Sequence, residues 1–235
     1  MAEATLLDRA GSVDVDVDVD VDPFTGPDVP VSPYDVTVVV CTYGSQQWRD
    51  LAERRAVPSA WSAGARNVLT AHSGTLANAR NAALDDVATD WIIYLDADDE
   101  LETGYVDTMC TGTADVRAPS VRYVHRGHVE PVRVPRVWGH GHDCVGDCLQ
   151  FGNWIIIGAM ARVSALREAG GWRDYEWSED WAMWAACWQR GATVETINGA
   201  VYRAHVRPGS RNRRTHDVKM RVHRQIATDL GLPIP

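Results

Sequence analysis

Apolar residues in this chain occur either as short, nearly unbroken runs or at helical spacing, and the two patterns alternate. Val36–Cys41 and Trp91–Leu95 are short runs, which are typical of strands buried on both faces of a sheet. Leu76–Val87 instead repeats apolar residues along one helical face. The predicted strands are Val36–Cys41, Asn67–Ala71, Trp91–Leu95, Asp115–Val124, Pro131–Trp138, Trp154–Arg162, Thr193–Ile197 and Ala200–His205. The predicted helices are Gln46–Arg55 (which stops before Pro58), Leu76–Val87, Tyr105–Cys110, Val163–Ala169 and Ser178–Arg190.

The first five segments have the order β-α-β-α-β, which is that of a mononucleotide-binding half-domain. We therefore expect an α/β fold, with a mixed, mostly parallel central sheet flanked by helices. At 235 residues the chain is long enough for one such domain, or for two small ones that share a sheet. It contains neither a Gly-x-x-x-x-Gly-Lys loop nor a Gly-x-Gly-x-x-Gly turn, which argues against P-loop NTPases and dinucleotide-dependent dehydrogenases.

The two ends of the chain differ in composition from the middle. Residues 1–35 carry nine acidic side chains and one arginine, and they include five consecutive Val-Asp repeats. The alternation fits a half-buried strand, but a row of aspartates repels itself, so we expect an acidic, disordered tail. Calcium binding by the aspartates is the alternative. Residues 213–235 form a basic C-terminal segment.

Hydropathy and cysteine usage indicate the cellular setting. No apolar run approaches the ~20 residues of a membrane span, and the N-terminus lacks the apolar core of a signal peptide. The five cysteines are scattered through a chain too large to need disulfides, which favours free thiols or a metal site. We therefore expect a cytoplasmic protein without a membrane partner.

Basic residues are clustered although the net charge is −9. Residues 117–136 and 203–224 contain thirteen of the 23 lysines and arginines. Arginine suits bidentate contact with phosphate, although a GC-rich coding bias would give the same enrichment. These two segments are therefore candidate contacts for a phosphate-bearing partner such as DNA.

Three carboxylates follow the central apolar run: Asp96, Asp98 and Asp99. In open α/β sheets, ligands bind beyond the carboxyl ends of the strands. Carboxylates clustered there repel one another and lose solvation unless a cation or a ligand's donors balance them. A hard divalent metal ion carrying a phosphate is one interpretation, and a common acidic turn that binds nothing is the other.

Further polar residues lie on two predicted helices. Arg80 falls at the edge of an apolar stripe, where its guanidinium needs a carboxylate or a ligand as partner unless it extends to water. Glu179 and Asp180 lie in the first turn of a helix that Ser178 is expected to cap. The helix dipole favours ionised carboxylates at that end, and ordinary placement of charge at a helix N-terminus would explain one of the two.

Four features occur together in one order along the chain. They are Val38-Val-Val-Cys-Thr-Tyr43, Ala77-Asn-Ala-Arg-Asn81, Leu95-Asp-Ala-Asp-Asp99, and Gly170-Gly-Trp172 followed by Glu179-Asp-Trp181. In order and spacing they resemble the family 2 glycosyltransferases of the GT-A fold over about residues 36–212. The resemblance implies a soluble, metal-dependent, inverting enzyme that moves one sugar from a nucleotide-diphosphate sugar to an acceptor hydroxyl. It also implies a nucleotide-sugar half at 36–110 and an acceptor half at 111–212.

The resemblance implies donor-binding roles for particular side chains. The turn after the first strand would line the nucleotide base and ribose through Thr42 and Tyr43, together with Arg80 of the second helix. A mobile segment closing on the diphosphate would consist of Ser210, Arg211 and Asn212.

Metal-binding and catalytic roles follow from the same resemblance. Asp96 and Asp98 would hold the ribose and a Mn²⁺ or Mg²⁺ ion on the diphosphate, with His205 as a further metal ligand. Neutralising the diphosphate helps it to leave, because negative charge develops on it. Asp180 would be the general base that takes the proton of the attacking hydroxyl. For His205 the alternative is a strand-end histidine bonded to backbone.

Two family features are missing from this sequence. No acidic residue follows the second strand, where many members hold uracil, so the nucleotide is left open. The Gln-x-x-Arg-Trp motif of processive polysaccharide synthases is also absent, so we expect one sugar to be added per encounter.

Two other functions are consistent with parts of the sequence. A nucleotidyltransferase of the same fold needs a basic, glycine-rich loop after the first strand, but Thr42–Gln47 contains no lysine or arginine. A nucleic-acid-binding module on an inactive transferase scaffold would use the two basic clusters. These clusters also fit an acceptor that is a modified base in DNA, which would have to flip toward Asp180. A protein, a saccharide or a small molecule is the alternative acceptor.

A histidine and cysteine cluster lies in the acceptor half. Its members fall within nine residues, and such side chains can bind a structural Zn²⁺ ion, but their spacing matches no standard finger or ribbon. The alternative is a glycine-rich acceptor-side loop. The cluster consists of His140, His142, Cys144 and Cys148.

Overall fold

The structure, a computed structural model, describes residues 30–135, 146–207 and 214–234. They form an α/β fold in which helices flank one eight-stranded mixed sheet, as predicted. The strands are β1 (Val36–Tyr43), β2 (Asn67–Ser73), β3 (Trp91–Asp96), β4 (Glu100–Leu101), β5 (Val116–His125), β6 (His128–Val129), β7 (Met160–Arg162) and β8 (Val194–His205). The helices are α1 (Gln46–Arg54), α2 (Ala56–Ser62), α3 (Leu76–Asp86), α4 (Tyr105–Met109), α5 (Val163–Glu168), α6 (Glu179–Gln189) and α7 (His216–Leu230).

The strand order across the sheet is β2-β1-β3-β7-β5-β8-β4, and β6 pairs with β5. The three longest ladders, β1 with β2, β1 with β3 and β5 with β8, are parallel. Strand β7 is antiparallel to both β3 and β5 and joins the two parallel halves. Because β1, β2 and β3 run in one direction, their carboxyl ends at Tyr43, Ser73 and Asp96 lie along one edge of the sheet.

The apolar runs form the strands at the centre of the core. Residues 91–95 of β3 are buried because helices cover both faces of the sheet, which removes the need for polar alternation. Thr75 caps the start of helix α3, because its hydroxyl accepts the backbone N–H of Asn78 at 3.2 Å. The Trp172 ring packs edge-on against Tyr94 and Trp184, with centroids 5.0 and 5.7 Å apart. This aromatic contact fixes α6 against the sheet.

The predicted helix Gln46–Arg55 is confirmed as α1 to within one residue, but a second helix that was not predicted contains Pro58. Helix α1 ends at Arg54, and a second helix follows after Arg55. Pro58 lies in the first turn of α2, where a backbone N–H has no intrahelical partner to lose. The proline therefore starts a helix here instead of ending one.

Two predicted strands are shorter in the structure. Only Met160–Arg162 of the predicted Trp154–Arg162 strand pairs with neighbours, although residues 154–159 are largely buried. The Tyr105 hydroxyl donates to the Gly158 carbonyl at 2.7 Å, so a side chain replaces a ladder bond there. Of the predicted Pro131–Trp138 strand, residues 131–135 make one isolated bridge, at Arg133, and the remainder lies outside the described residues.

The basic C-terminal segment forms helix α7 within the described residues. Thr215 accepts the backbone N–H of Val218 at 3.5 Å, and Gly231 ends the helix with a φ of 65°. The helix packs on α6, where the His223 ring lies 4.2 Å from the Trp181 ring. Tyr175 also donates to Asp229 at 2.8 Å. Among the described helices, none has the length and apolar content needed to cross a bilayer. The Val-Asp repeat lies outside the described residues.

Candidate functional site

The predicted carboxylate cluster forms an acidic turn, Asp96–Glu100, at the carboxyl end of β3. The backbone N–H of Asp99 donates to the Asp96 carbonyl at 3.0 Å, which closes the turn. The three aspartates have separate partners: Arg80 for Asp96, Arg207 for Asp98 and Tyr202 for Asp99. The cluster is therefore not a set of equivalent ligands around one point.

Arg80 of α3 joins the acidic turn to the first turn of α6. Its Nη2 donates to Asp96 Oδ1 and its Nη1 to Glu179 Oε1, both at 3.0 Å. The side chain is 1% exposed and lies 4.6 Å from the centroid of Trp172. Burial opposes the charge, but Asp96 and Glu179 raise the pKa of Arg80 above its ordinary value. The expected carboxylate partner is confirmed, whereas the nucleotide contact of Arg80 stays a prediction.

Asp180 stands next to Glu179 at the start of α6. Its Oδ1 accepts the backbone N–H of Trp181 at 2.9 Å. Burial raises the pKa of Asp180 to about 7, and the neighbouring charge of Glu179 adds to the effect. A carboxylate with this pKa can both accept and release a proton near neutral pH. Its role as a general base stays a prediction.

Ser178 sets the direction in which α6 begins. Its φ of 55° makes it the one non-glycine residue with a left-handed backbone in the described part of the chain. Its hydroxyl makes no capping bond, so the predicted side-chain cap is wrong. A left-handed conformation costs a non-glycine residue roughly 1–2 kcal/mol, and such strain is found where a site needs it. Here the strained residue, Ser178, directly precedes Glu179 and Asp180 in the first turn of α6.

The Asp99 side chain is buried and bonds to protein groups. It accepts the hydroxyl of Tyr202 at 2.9 Å and the backbone N–H of His205 at 2.7 Å. The Tyr202 oxygen in turn accepts the backbone N–H of Asp96 at 3.3 Å. Burial raises the pKa of Asp99 well above its ordinary value, and the charges of Asp98 and Asp96 add to this. Asp99 therefore ties β8 to the acidic turn.

The side chains predicted to bind a metal ion contact protein groups in this structure. Asp98 Oδ2 accepts Arg207 Nε at 2.6 Å, and His205 Nε2 lies 2.5 Å from Glu100 Oε2. Over residues 30–135, 146–207 and 214–234, no three His, Cys, Asp or Glu side chains are grouped in a way that would hold a metal ion. Carboxylate and imidazole still suit Mn²⁺ or Mg²⁺ in kind. The metal site of Asp96, Asp98 and His205 stays a prediction.

The carboxyl ends of β1 and β2 place polar and aromatic groups beside the acidic turn. Thr42 Oγ1 lies 2.9 Å from His72 Nδ1. The Tyr43 ring is stacked on Trp48, with centroids 6.5 Å apart and planes 10° apart. His72 is the penultimate residue of β2 and lies just before the position where many family 2 members carry an acidic residue. The nucleotide contacts of Thr42 and Tyr43 stay predictions.

A cavity of about 350 Å³ adjoins the acidic turn. Two of its lining residues also contact the turn or its neighbours: Arg55 donates to the Asp98 carbonyl at 2.7 Å, and Glu100 bonds to His205. Its other lining residues are Arg54, Pro58, Ser59, Ser62 and Leu101. A cavity of about 430 Å³ lies near the end of α6 and is lined in part by Trp188, Gly191 and Leu232, so it is separate from the acidic turn.

Two predicted sites fall wholly or mostly outside the described residues. Of the zinc cluster, only Cys148 is described, and it is 1% exposed in the 3₁₀ turn Gly146–Gln150. Both sites stay predictions. The residues outside the described ranges are Ser210, Arg211, Asn212, His140, His142 and Cys144.

Comparison with solved structures gives the same architecture. S. aureus TarS 1–349 matches with a TM-score of 0.57 and 13% identity, over 85% of this chain and 66% of that one. Its crystal structures with UDP-GlcNAc and with UDP give TM-scores of 0.56 and 0.55 at 13% and 14% identity. These matches also cover 85% of this chain, and 68% and 67% of theirs. The chain therefore has the same mixed α/β fold as these TarS structures at a coarse level.

The chain spans about two thirds of the TarS fragment that it matches. No protein-family model matches the sequence, and no curated protein matches it at a significant level.

Proposed function

We propose that this protein is an inverting, metal-dependent glycosyltransferase that moves one sugar from a nucleotide-diphosphate sugar to an acceptor hydroxyl. The observation that supports this most directly is the double contact of Arg80 with Asp96 and Glu179. One buried guanidinium thereby holds the acidic turn, which would face the donor, beside the start of α6, which would face the acceptor. The fold shared with TarS, whose crystal structures include a UDP-GlcNAc complex, supports a nucleotide sugar as the donor.

The donor would bind at the edge formed by the carboxyl ends of β1, β2 and β3. Thr42 and Tyr43 would contact the base and ribose, and Asp96 and Asp98 would face the ribose and diphosphate. Asp98 and His205 would hold a Mn²⁺ or Mg²⁺ ion. When bound, that ion supplies positive charge that stabilises the departing diphosphate.

Asp180 would act on the acceptor. Its carboxylate takes the proton of the acceptor hydroxyl while the oxygen attacks the anomeric carbon. The bond from that carbon to the diphosphate oxygen breaks, and the nucleoside diphosphate leaves with the electron pair. A single displacement opposite the leaving group inverts the configuration. Arg80 positions Asp180 indirectly, because it fixes the preceding residue, Glu179.

The general base can be tested before the acceptor is known, because water can replace the acceptor hydroxyl. UDP-GlcNAc is incubated with Mn²⁺, and release of UDP is measured for the wild type and for Asp180→Asn. We expect release to fall by about 100-fold or more in the variant, whereas calorimetry shows unchanged UDP-GlcNAc binding. Asp174→Asn removes an exposed carboxylate six residues before Asp180 and should leave release unchanged. Release by Asp180→Asn within threefold of wild type would remove Asp180 from the base role.

A further inference from the structure

Arg207 follows β8 and reaches back to the acidic turn. Its Nε lies 2.6 Å from Asp98 Oδ2, in a pair whose side chains are 42% and 16% exposed respectively. On its other side, the guanidinium carbon lies 4.1 Å from the centroid of the Trp48 ring. Trp48 itself is stacked beside Tyr43 at the end of β1. Arg207 is therefore held by a charge on one side and by an aromatic face on the other.

The other carboxylates of the turn have partners of their own. Asp96 is paired with Arg80, and Asp99 accepts bonds from Tyr202 and from the backbone of His205. Asp98 is paired with Arg207, which lies 109 residues away along the chain and follows the strand that pairs with β4. The protein therefore supplies its own cation at the carboxylate that is proposed to bind a divalent ion.

We propose that Arg207 is an internal counter-ion of Asp98 that competes with the divalent cation, so that donor binding exchanges one cation for another. This inference depends on the proposed function only for the identity of the incoming cation and its diphosphate. Asp98 Oδ2 cannot bond to Arg207 Nε at 2.6 Å and also bind a metal ion at about 2.1 Å without bringing two positive charges close together.

The exchange predicts that metal and nucleotide bind cooperatively. Without nucleotide, a metal ion bound to Asp98 would repel the Arg207 guanidinium, which would lose its carboxylate partner. With a nucleoside diphosphate present, the phosphate oxygens supply further ligands to the ion and a new bidentate partner for the arginine. By linkage, the nucleotide then strengthens metal binding by the same factor by which the metal strengthens nucleotide binding.

The experiment is a titration of Mn²⁺ followed by the electron paramagnetic resonance signal of the free ion, with and without UDP. In Arg207→Gln, we expect Mn²⁺ to bind without UDP roughly threefold to tenfold more tightly than in the wild type, because a partly exposed competing ion pair has been removed. The strengthening of Mn²⁺ binding by UDP should also be smaller in this variant. Equal Mn²⁺ affinities of wild type and Arg207→Gln without UDP would overturn the inference.

Arg221→Gln is the matched control. Arg221 is an exposed arginine that is paired with the Glu176 carboxylate at 2.6 Å. The Arg221→Gln variant should bind Mn²⁺ as tightly as the wild type does. Asp98→Asn should abolish Mn²⁺ binding whether position 207 carries arginine or glutamine. Mn²⁺ binding that survives this substitution would show that the ion binds elsewhere, and it would overturn the proposed exchange of Arg207 for the metal ion.

The inference and the proposed function can fail separately. If neither the wild type nor Arg207→Gln binds Mn²⁺ even with UDP, then Arg207 is not exchanged for a metal ion at Asp98. The proposed metal dependence of glycosyl transfer would also be wrong. UDP-GlcNAc binding and turnover in the absence of any metal ion would in that case still support glycosyl transfer.

Discussion

Arg80 Nη1 and Glu179 Oε1 lie 3.0 Å apart, although 99 residues separate them along the chain. The same guanidinium bonds to Asp96, which ends the central strand. The acidic turn and the start of α6 therefore cannot shift independently of each other. In the proposed enzyme this contact keeps the donor-facing carboxylates and the general base in one arrangement.

Removal of this guanidinium should destabilise the fold. Arg80→Met leaves the Asp96 and Glu179 carboxylates without their shared cation, and loss of one partner of a buried ion pair costs about 3 kcal/mol or more. The free energy of unfolding, measured with urea, gives the effect. As a control, Arg221→Met removes an exposed arginine of a surface pair and should change stability by less than about 1 kcal/mol. Equal effects of the two substitutions would show that the Arg80 contact is not a structural link.

The pH dependence of turnover should report Asp180. Burial and the charge of Glu179 raise its pKa to about 7, so the carboxylate is protonated below that pH and ionised above it. A general base must be ionised, so UDP release should rise as the pH increases through about 7. Glu179→Gln removes the neighbouring negative charge, lowers the pKa of Asp180 and should move the rise to lower pH. A flat profile between pH 5.5 and 8.5 would contradict the assignment.

The support beneath the acidic turn should be sensitive to added volume at Gly158. A Cβ at this position would overlap the ring of Tyr202, whose hydroxyl donates to Asp99. Gly158→Ala should therefore lower the free energy of unfolding by about 1–3 kcal/mol. Gly152→Ala adds the same methyl group where no atom lies within 4 Å and should have little effect. If both variants unfold at the same urea concentration, the packing of Tyr202 does not depend on Gly158.

Substitutions at Ser178 should separate backbone strain from side-chain chemistry. Its hydroxyl makes no capping bond, and its φ is 55°. Ser178→Gly should keep the stability and UDP release of the wild type, because glycine adopts this conformation without strain. Ser178→Val should lose about 1–2 kcal/mol of stability and most of the activity, because a β-branched residue strongly disfavours positive φ. A thermal melt and the UDP-release assay on both variants check this.

The parts of the fold that depend on local pattern could be predicted from the sequence. The run Trp91–Leu95 is apolar at every position, so its burial as a central strand follows directly. Residues 154–159 show the limit of this reasoning, because a buried loop that bonds to Tyr105 has the same apolar pattern as a strand. Burial is encoded in composition, but pairing depends on which neighbours are available.

The sequence indicates which kinds of side chain lie in the candidate site, but it does not show which of them bond to one another. That Arg80 needs a carboxylate or a ligand as its partner, unless it extends to water, follows from its place on an apolar stripe, but no local pattern shows that Asp96 and Glu179 share it. Tyr202 and Arg207 were not singled out, because their partners in the acidic turn lie more than 100 residues away. Such contacts arise only when β8 is placed in the sheet beside β5 and β4.

In the proposed enzyme, the acidic turn binds a nucleotide sugar through Asp98 and a divalent ion. Calorimetric titration of UDP-GlcNAc with Mn²⁺ present tests it most directly, with wild type, Asp98→Asn and the control Asp174→Asn compared. We predict binding by wild type and Asp174→Asn that disappears when EDTA removes the metal ion, and no binding by Asp98→Asn. Binding by Asp98→Asn as tight as that of the wild type would contradict the claim, and so would a failure of every UDP-, GDP- and dTDP-sugar to bind the wild type.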